Sequence, residues 1–225
     1  MSEIKINNIP VITENNGSVS LTTGTATFTN LDVVGNIKET GGNIELHSNG
    51  YTGWKQTNYL GDFYIAHLTN GDAFKINSNG HVTMPYQPMV SAYFSNNSSW
   101  SNTNTAVTII PFNIVNVNIG NHYNSSTGLF TAPVSGYYQV TFDGLSGNAT
   151  NHQIHVYIYI NGSPYGHVAH WNMNNQGINS WLNLSLNNII FAAAGDTLSL
   201  RYNTNGNGSL YGSAYYTGMS IKLIG

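Results

Sequence analysis

Ser126-Thr127-Gly128-Leu129-Phe130-Thr131-Ala132-Pro133-Val134-Ser135-Gly136-Tyr137-Tyr138-Gln139-Val140 is the stretch on which the reading of the fold turns. At its end the chain begins to alternate: Gln139, Thr141 and Asp143 interleave with Val140 and Phe142. That period of two puts one side of a β-strand against a core and the other against solvent. Working outward, the pattern returns where Ile154, Val156, Ile158 and Ile160 interleave with His155, Tyr157 and Tyr159. Further β-like runs at 107–112, 114–119, 181–190, 197–202 and 219–224 stand between Asn, Gly and Ser clusters. Asn161-Gly162 and Asn205-Gly206-Asn207-Gly208 supply residues that accept positive φ at turns. No stretch sustains a helical period, so an all-β sandwich is expected.

Composition points the same way. Asn (34) and Gly (24) together make 58 of the 225 residues, and both types favour turns over helix. Charged residues are only 7% of the chain, against about 25% in an ordinary domain. A net charge of -3 without any Lys/Arg run lacks the phosphate-neutralising footprint of a nucleic-acid binder, so nucleic acid is excluded as a partner. The longest apolar run, Ile189 to Ala194, falls far short of the roughly 20 residues that span a bilayer. Met1-Ser2-Glu3-Ile4-Lys5 is no apolar signal segment; a soluble, unexported protein with no membrane insertion is expected. Without cysteine, disulfides, thiolate metal sites and Cys nucleophiles are ruled out. Eleven of the fifteen charged side chains lie between Glu3 and Lys75. This places a boundary near 84–88, where Pro85 and Pro88 each disfavour helix in the residue before and suggest an extended linker or collar.

The quoted stretch, with Phe112-Asn113 and Val117 to Asn124 before it, resembles the central signature of the C1q-like (C1q/TNF) domain. Val156 to Gly162 resembles that family's Asn-Gly after a long strand, Ala194 to Leu200 its Gly-Asp before a strand, and Tyr215 to Leu223 its closing strand. The resemblance implies a C-terminal jelly-roll head over residues 86–225 that packs as a homotrimer. Calcium-bearing members of the family place acidic residues near the trimer apex. Here only Asp143 and Asp196 are available in the head, so neither a metal nor another cofactor is expected.

Residues 1–85 read differently, as short β runs among Gly and Asn: 18–21, 25–29, 33–37, 42–46, 62–65 and 73–76. One copy has too few large apolar residues to bury a core, whereas three wound together would bury one. Ala26 to Ile37 and Phe74 to Pro85 resemble the shaft segments of tailed-phage fibre and decoration proteins. The expected organisation is a particle-anchoring segment (1–40), a β-rich trimeric shaft or collar (41–85) and the head (86–225). Ile4 to Thr13, with Pro10, suits addition onto another protein's surface.

Among candidate chemical groups, His152/His155 and His167/His170 are the closest histidine pairs. Spaced i, i+3 on strands, the two members of a pair fall on opposite faces and do not chelate by themselves. Hydrolysis by a triad or by paired carboxylates needs convergent acids. Asp143 and Asp196 lie on separate elements, Asp196 having an ordinary turn-capping job, and Glu39, Glu45, Asp62 and Asp72 form no motif, so catalytic residues are not expected. Asn-x-Ser/Thr matches such as Asn96, Asn124 and Asn183 are chance products of the Asn content. Trp100 and Trp171 fall in polar segments read as loops, where an exposed ring among amides and hydroxyls suits stacking on a sugar. Tyr137, Tyr138, Tyr157 and Tyr159, apolar in body and polar at the tip, are candidates for the trimer interface.

The expected function is that of a non-enzymatic virion appendage, a phage fibre or capsid decoration made in the host cytoplasm without a signal peptide. Its N-terminal segment would meet a capsid or tail protein, and its head a host cell-surface glycan. The few head charges give little long-range steering, so a neutral or weakly charged glycan is expected, with weak salt dependence. A glycan-cleaving fibre tip and a secreted bacterial C1q-like binding protein are the alternatives.

Overall fold

The computed structural model describes residues 3–6, 9–15, 18–21, 43–46, 54–59, 62–67, 71–95, 99–101, 106–147, 153–172, 182–204, 209–213 and 215–225, and among these there is no helix. The chain divides into two compact units, Met1–Asn43 and Ile44–Gly225. In the first, β1 (Glu3–Ile6), β2 (Ile9–Asn15) and β3 (Ser18–Leu21) form an antiparallel sheet in that order. Pro10 stands opposite Lys5, beside a register irregularity in β1 and outside the part of β2 that pairs with β3. There its missing N–H costs least. The expected runs at 25–29 and 33–37 lie outside the described residues.

A five-stranded meander follows, β4 (Asn43–Leu46), all but its first residue in the second unit, β5 (Trp54–Tyr59), β6 (Asp62–His67), β7 (Gly71–Ile76) and β8 (Val82–Thr83). Among its described side chains only Ala66 is a fully buried hydrophobic, and Ile65 and Val82 are exposed. The 84–88 segment is a turn and not an extended linker. Gln87 N donates to Met84 O at 3.1 Å, while Gln87 Nε2 donates to Leu223 O at 2.7 Å.

The head is a sandwich of two antiparallel sheets. Its strands are β9 (Met89–Tyr93), β10 (Ser99–Ser101), β11 (Thr108–Ile109), β12 (Ile114–Ile119), β13 (Tyr123–Asn124), β14 (Leu129–Thr131), β15 (Gly136–Gly147), β16 (Gln153–Ile160), β17 (Ser163–Asn172), β18 (Leu182–Ala192), β19 (Thr197–Thr204), β20 (Ser209–Tyr211) and β21 (Gly218–Leu223). One sheet runs β12-β9-β21-β15-β18, with β20 and β10 extending it beside the far end of β15; the other runs β13-β14-β19-β16-β17, with β11 on β19. This is the jelly-roll arrangement expected from the sequence. The run at 107–112 pairs only over Thr108–Ile109, because Pro111 brings no N–H to a ladder.

Strand alternation fills the space between the sheets. Tyr138, Val140 and Phe142 from β15 face Ile154, Val156 and Ile158 from β16 and Leu198, Leu200 and Tyr202 from β19, all essentially inaccessible. Rings meet edge to face, Phe130 with Tyr138 at 5.7 Å and Phe112 with Phe142 at 6.3 Å, the geometry aromatic quadrupoles favour. Tyr138 is thus a residue of the protomer's own core. Its hydroxyl donates to Val134 O at 2.8 Å, which removes it from the set of expected interface tyrosines.

Candidate functional site

Two outward faces of the head carry what the core does not need. On the β15–β18 face, Tyr137 is 56% exposed, Ile189 56% and Phe191 50%. Tyr137 and Phe191 are register partners, with rings 5.7 Å apart at 70°. Next to them Gln139 Nε2 donates to Asn187 Oδ1 at 3.0 Å and the Thr141 and Ser220 hydroxyls share a 2.7 Å bond. Further along, Tyr93, Asn116, Asp143, Tyr216 and Ser220 line an open depression of about 310 Å3. An apolar and aromatic end grading into a polar one is how a surface buried between protein copies is built. Sequence reading missed Ile189 and Phe191. Their signal was the run Ile189-Ile190-Phe191-Ala192, which ends the alternation held from Leu182 to Asn188 and makes the strand apolar on both sides.

The opposite face, on β16, β17 and β19, carries Tyr157, Tyr159, His155, His170 and Arg201. The Asn161-Gly162 turn takes positive φ at both residues, 49° and 78°, as a tight hairpin requires. A regular register from Ile160↔Ser163 would set Val168 opposite His155. An irregularity between Tyr157 and Tyr159 shifts it by two and sets His170 there. The two imidazoles stack at 4.4 Å and 17°. The histidines that meet are thus one from each of the two sequence pairs, brought together across strands; His152 lies outside the described residues. Burial, first, and the neighbouring His170, second, hold the His155 imidazole below its ordinary range, against a bond to Asn203. Tyr157 and Tyr159 are half-buried on this face rather than on the Tyr137 face, and the Arg201 guanidinium lies 4.1 Å above the Tyr159 ring.

Trp100 lies in β10 opposite Leu210, and Trp171 in β17 opposite Ile154, so both sit on strands and not in loops. The carboxylates are used structurally. Asp196 accepts from Asn161 Nδ2 at 2.7 Å and from Ala193 N at 2.8 Å, which holds it below the usual carboxylate range. Asp62 accepts from Lys75 Nζ at 2.6 Å and Ser78 N at 2.7 Å. Asp143 stands alone on β15 at the polar depression. Among the described residues no three His, Asp or Glu side chains are grouped to hold a metal ion.

The C1q domain family matches residues 92–218. The human protein named complement C1q tumor necrosis factor-related protein 3 is 30% identical over 131 residues, 58% of this chain and 46% of that protein. The chain therefore spans about half the length of that relative. Among solved structures, the globular domain of zebrafish complement 1qA is 15% identical over 62% of this chain and 98% of that one, with a TM-score of 0.47. Eiger TNF from S. frugiperda is 13% identical over 62% and 94%, with a TM-score of 0.48. Murine APRIL is 11% identical over 61% and 99%, with a TM-score of 0.46.

Proposed function

The chain belongs to the C1q domain family through residues 92–218, and from that membership we propose that it is a homotrimeric, non-enzymatic binding protein. In this reading it is an appendage of a tailed-phage particle, anchored through its N-terminal segment and presenting the head to a host-surface glycan. The observation that carries the self-association is the face of Tyr137, Ile189 and Phe191, three large apolar side chains on two paired strands, each about half exposed. Three copies meeting there would hide apolar surface that a monomer leaves in water. The β4–β8 sheet supports the same reading, since its described part buries little of its own.

The particle context rests on the shaft-like phrasing of Ala26 to Ile37 and Phe74 to Pro85. Glycan binding rests on the low charge of the head and on its aromatic residues, Trp100 and Trp171 among them. Replacing Ile189 and Phe191 together by Asp should release monomers and reduce adsorption to host cells, because three weak sites act together only while linked. Deleting residues 1–30 should leave soluble trimers that fail to join particles. Normal particle incorporation of the truncated protein would refute the anchor, and unchanged trimer mass in the double variant would refute the interface. Trp100→Ala and Trp171→Ala should each weaken adsorption by about 1 kcal/mol of lost stacking with the trimer intact; normal adsorption by both removes them from the site.

A further inference from the structure

The outward side of β16, β17 and β19 carries a continuous row of rings. His170 stacks on His155 at 4.4 Å, His155 lies 5.7 Å from Tyr157, and Tyr157 lies 6.1 Å from Tyr159. At the end of the row stands the only arginine of the chain. Arg201 is held in place: its Nε donates to Ser199 Oγ at 3.4 Å and its guanidinium rests 4.1 Å above the Tyr159 ring. No carboxylate pairs with it among the described residues. A guanidinium immobilised this way presents its remaining N–H groups as a fork whose geometry matches a carboxylate. Asn203 stands in the same strand as an amide, and Tyr157 and Tyr159 bring hydroxyls, while the Ser199 hydroxyl is buried and taken up by Arg201.

We infer that this face binds an extended acidic saccharide lying along β16, with a sugar carboxylate on Arg201 and sugar faces on Tyr157 and the stacked imidazoles. The inference rests on the reading of the head as a glycan-binding module and names the place and the ligand class, an acidic sugar instead of the neutral or weakly charged one that the low overall charge suggests. Three features favour a saccharide. Flat rings stack on the CH faces of sugars, and amide and hydroxyl groups match their hydroxyls. A single cation suits one carboxylate per few sugars and not a dense polyanion. Among the described residues, no large aliphatic side chain on β16, β17 or β19 is exposed to receive a lipid chain.

The row also has a built-in response to acid. The titratable and charged groups facing it are His155, Tyr157 and Tyr159 from β16, His170 from β17 and Arg201 from β19, with no acid among the described residues. His155 takes up a proton less readily than an ordinary imidazole, first because it is buried and then because His170 is its neighbour. An anion seated beside His155 offsets that penalty, so binding takes up a proton there and strengthens as the pH falls through the histidine range.

Calorimetric titration of the full chain with a galacturonate tetrasaccharide and with its carboxyl-reduced neutral counterpart tests this. The acidic sugar should bind at least about tenfold tighter, with the advantage widening between about pH 7 and pH 5.5. Arg201→Gln should abolish the preference, and Arg201→Lys should keep only a small part of it, since an ammonium cannot fork. Equal affinity for the two sugars, no binding of either, or a preference that survives Arg201→Gln overturns the inference. Equal, measurable affinity would leave the glycan-binding head standing, so the two failures are told apart. Should Arg201→Gln lose its fold, the His155 and His170 ring resonances of the unaltered protein decide. They should move with the acidic sugar at about a tenth of the concentration that the neutral one needs; resonances that the acidic sugar leaves unmoved, or that both sugars move at equal concentration, overturn the site.

Discussion

Tyr137 and Tyr138 are adjacent in sequence and opposite in role, because successive residues of a strand face opposite sides. Tyr138→Phe deletes only the 2.8 Å bond from its hydroxyl to Val134 O and should cost about 1 kcal/mol in urea unfolding. Phe142→Ala, which empties part of a fully buried cluster, should cost about 3–5 kcal/mol. A reversed order would mean that the core has been misidentified. The histidine pair makes a pH prediction. His155 in the folded protein holds its proton less tightly than in the unfolded chain, chiefly through burial and then through His170. The unfolded state therefore binds more protons, and the contribution to stability, complete above the ordinary imidazole range, is lost as the pH falls through it. Melting temperature should fall on acidification through that range, and His170→Gln should flatten the dependence. A profile that is identical in the variant would detach the effect from the pair. Sequence alone could not reveal this pair, since its formation depends on a two-residue shift of register and not on the spacing of histidines along one strand.

At the scale of elements, β15 is where most of the head is tied together. It pairs with β18 from Gly136 to Ser146 on one side and with β21 and then β20 on the other. Gly136 opens it. A Cβ there would meet Gly225 O at 2.6 Å and Leu223 Cδ1 at 2.8 Å, where the C-terminal residues close onto Tyr137, whose carbonyl accepts from Ile224 N at 2.8 Å. Gly136→Ala should therefore push the C-terminal end out of register and destabilise the head by about 1–3 kcal/mol. Wild-type hydrogen-exchange protection at Ile224 in that variant would contradict this account of the glycine. These elements were legible from the sequence because alternation and Asn-Gly turns write themselves locally, as in β16, the turn and β17. The positions of Trp100, on a three-residue edge strand, and Trp171, at the end of a ten-residue one, were misread as loops because polar Ser and Asn neighbours look the same there and in a loop. Ile189 and Phe191 went unseen because a strand apolar on both sides is conspicuous only when its neighbour in another copy is considered.

In the whole molecule the head presents two faces of different chemistry. The Tyr137, Ile189 and Phe191 face is assigned to other copies of the chain, and the Arg201 face to a ligand. The central claim is the first of these, since an anchored, multivalent appendage follows only if the chain associates. Light scattering on the intact protein at micromolar concentration, with and without the Ile189→Asp, Phe191→Asp pair, addresses it directly. The prediction is about 73 kDa for the intact protein, three copies of the 24.4 kDa chain, falling to the monomer mass in the double variant. An intact protein that elutes at 24.4 kDa would contradict it.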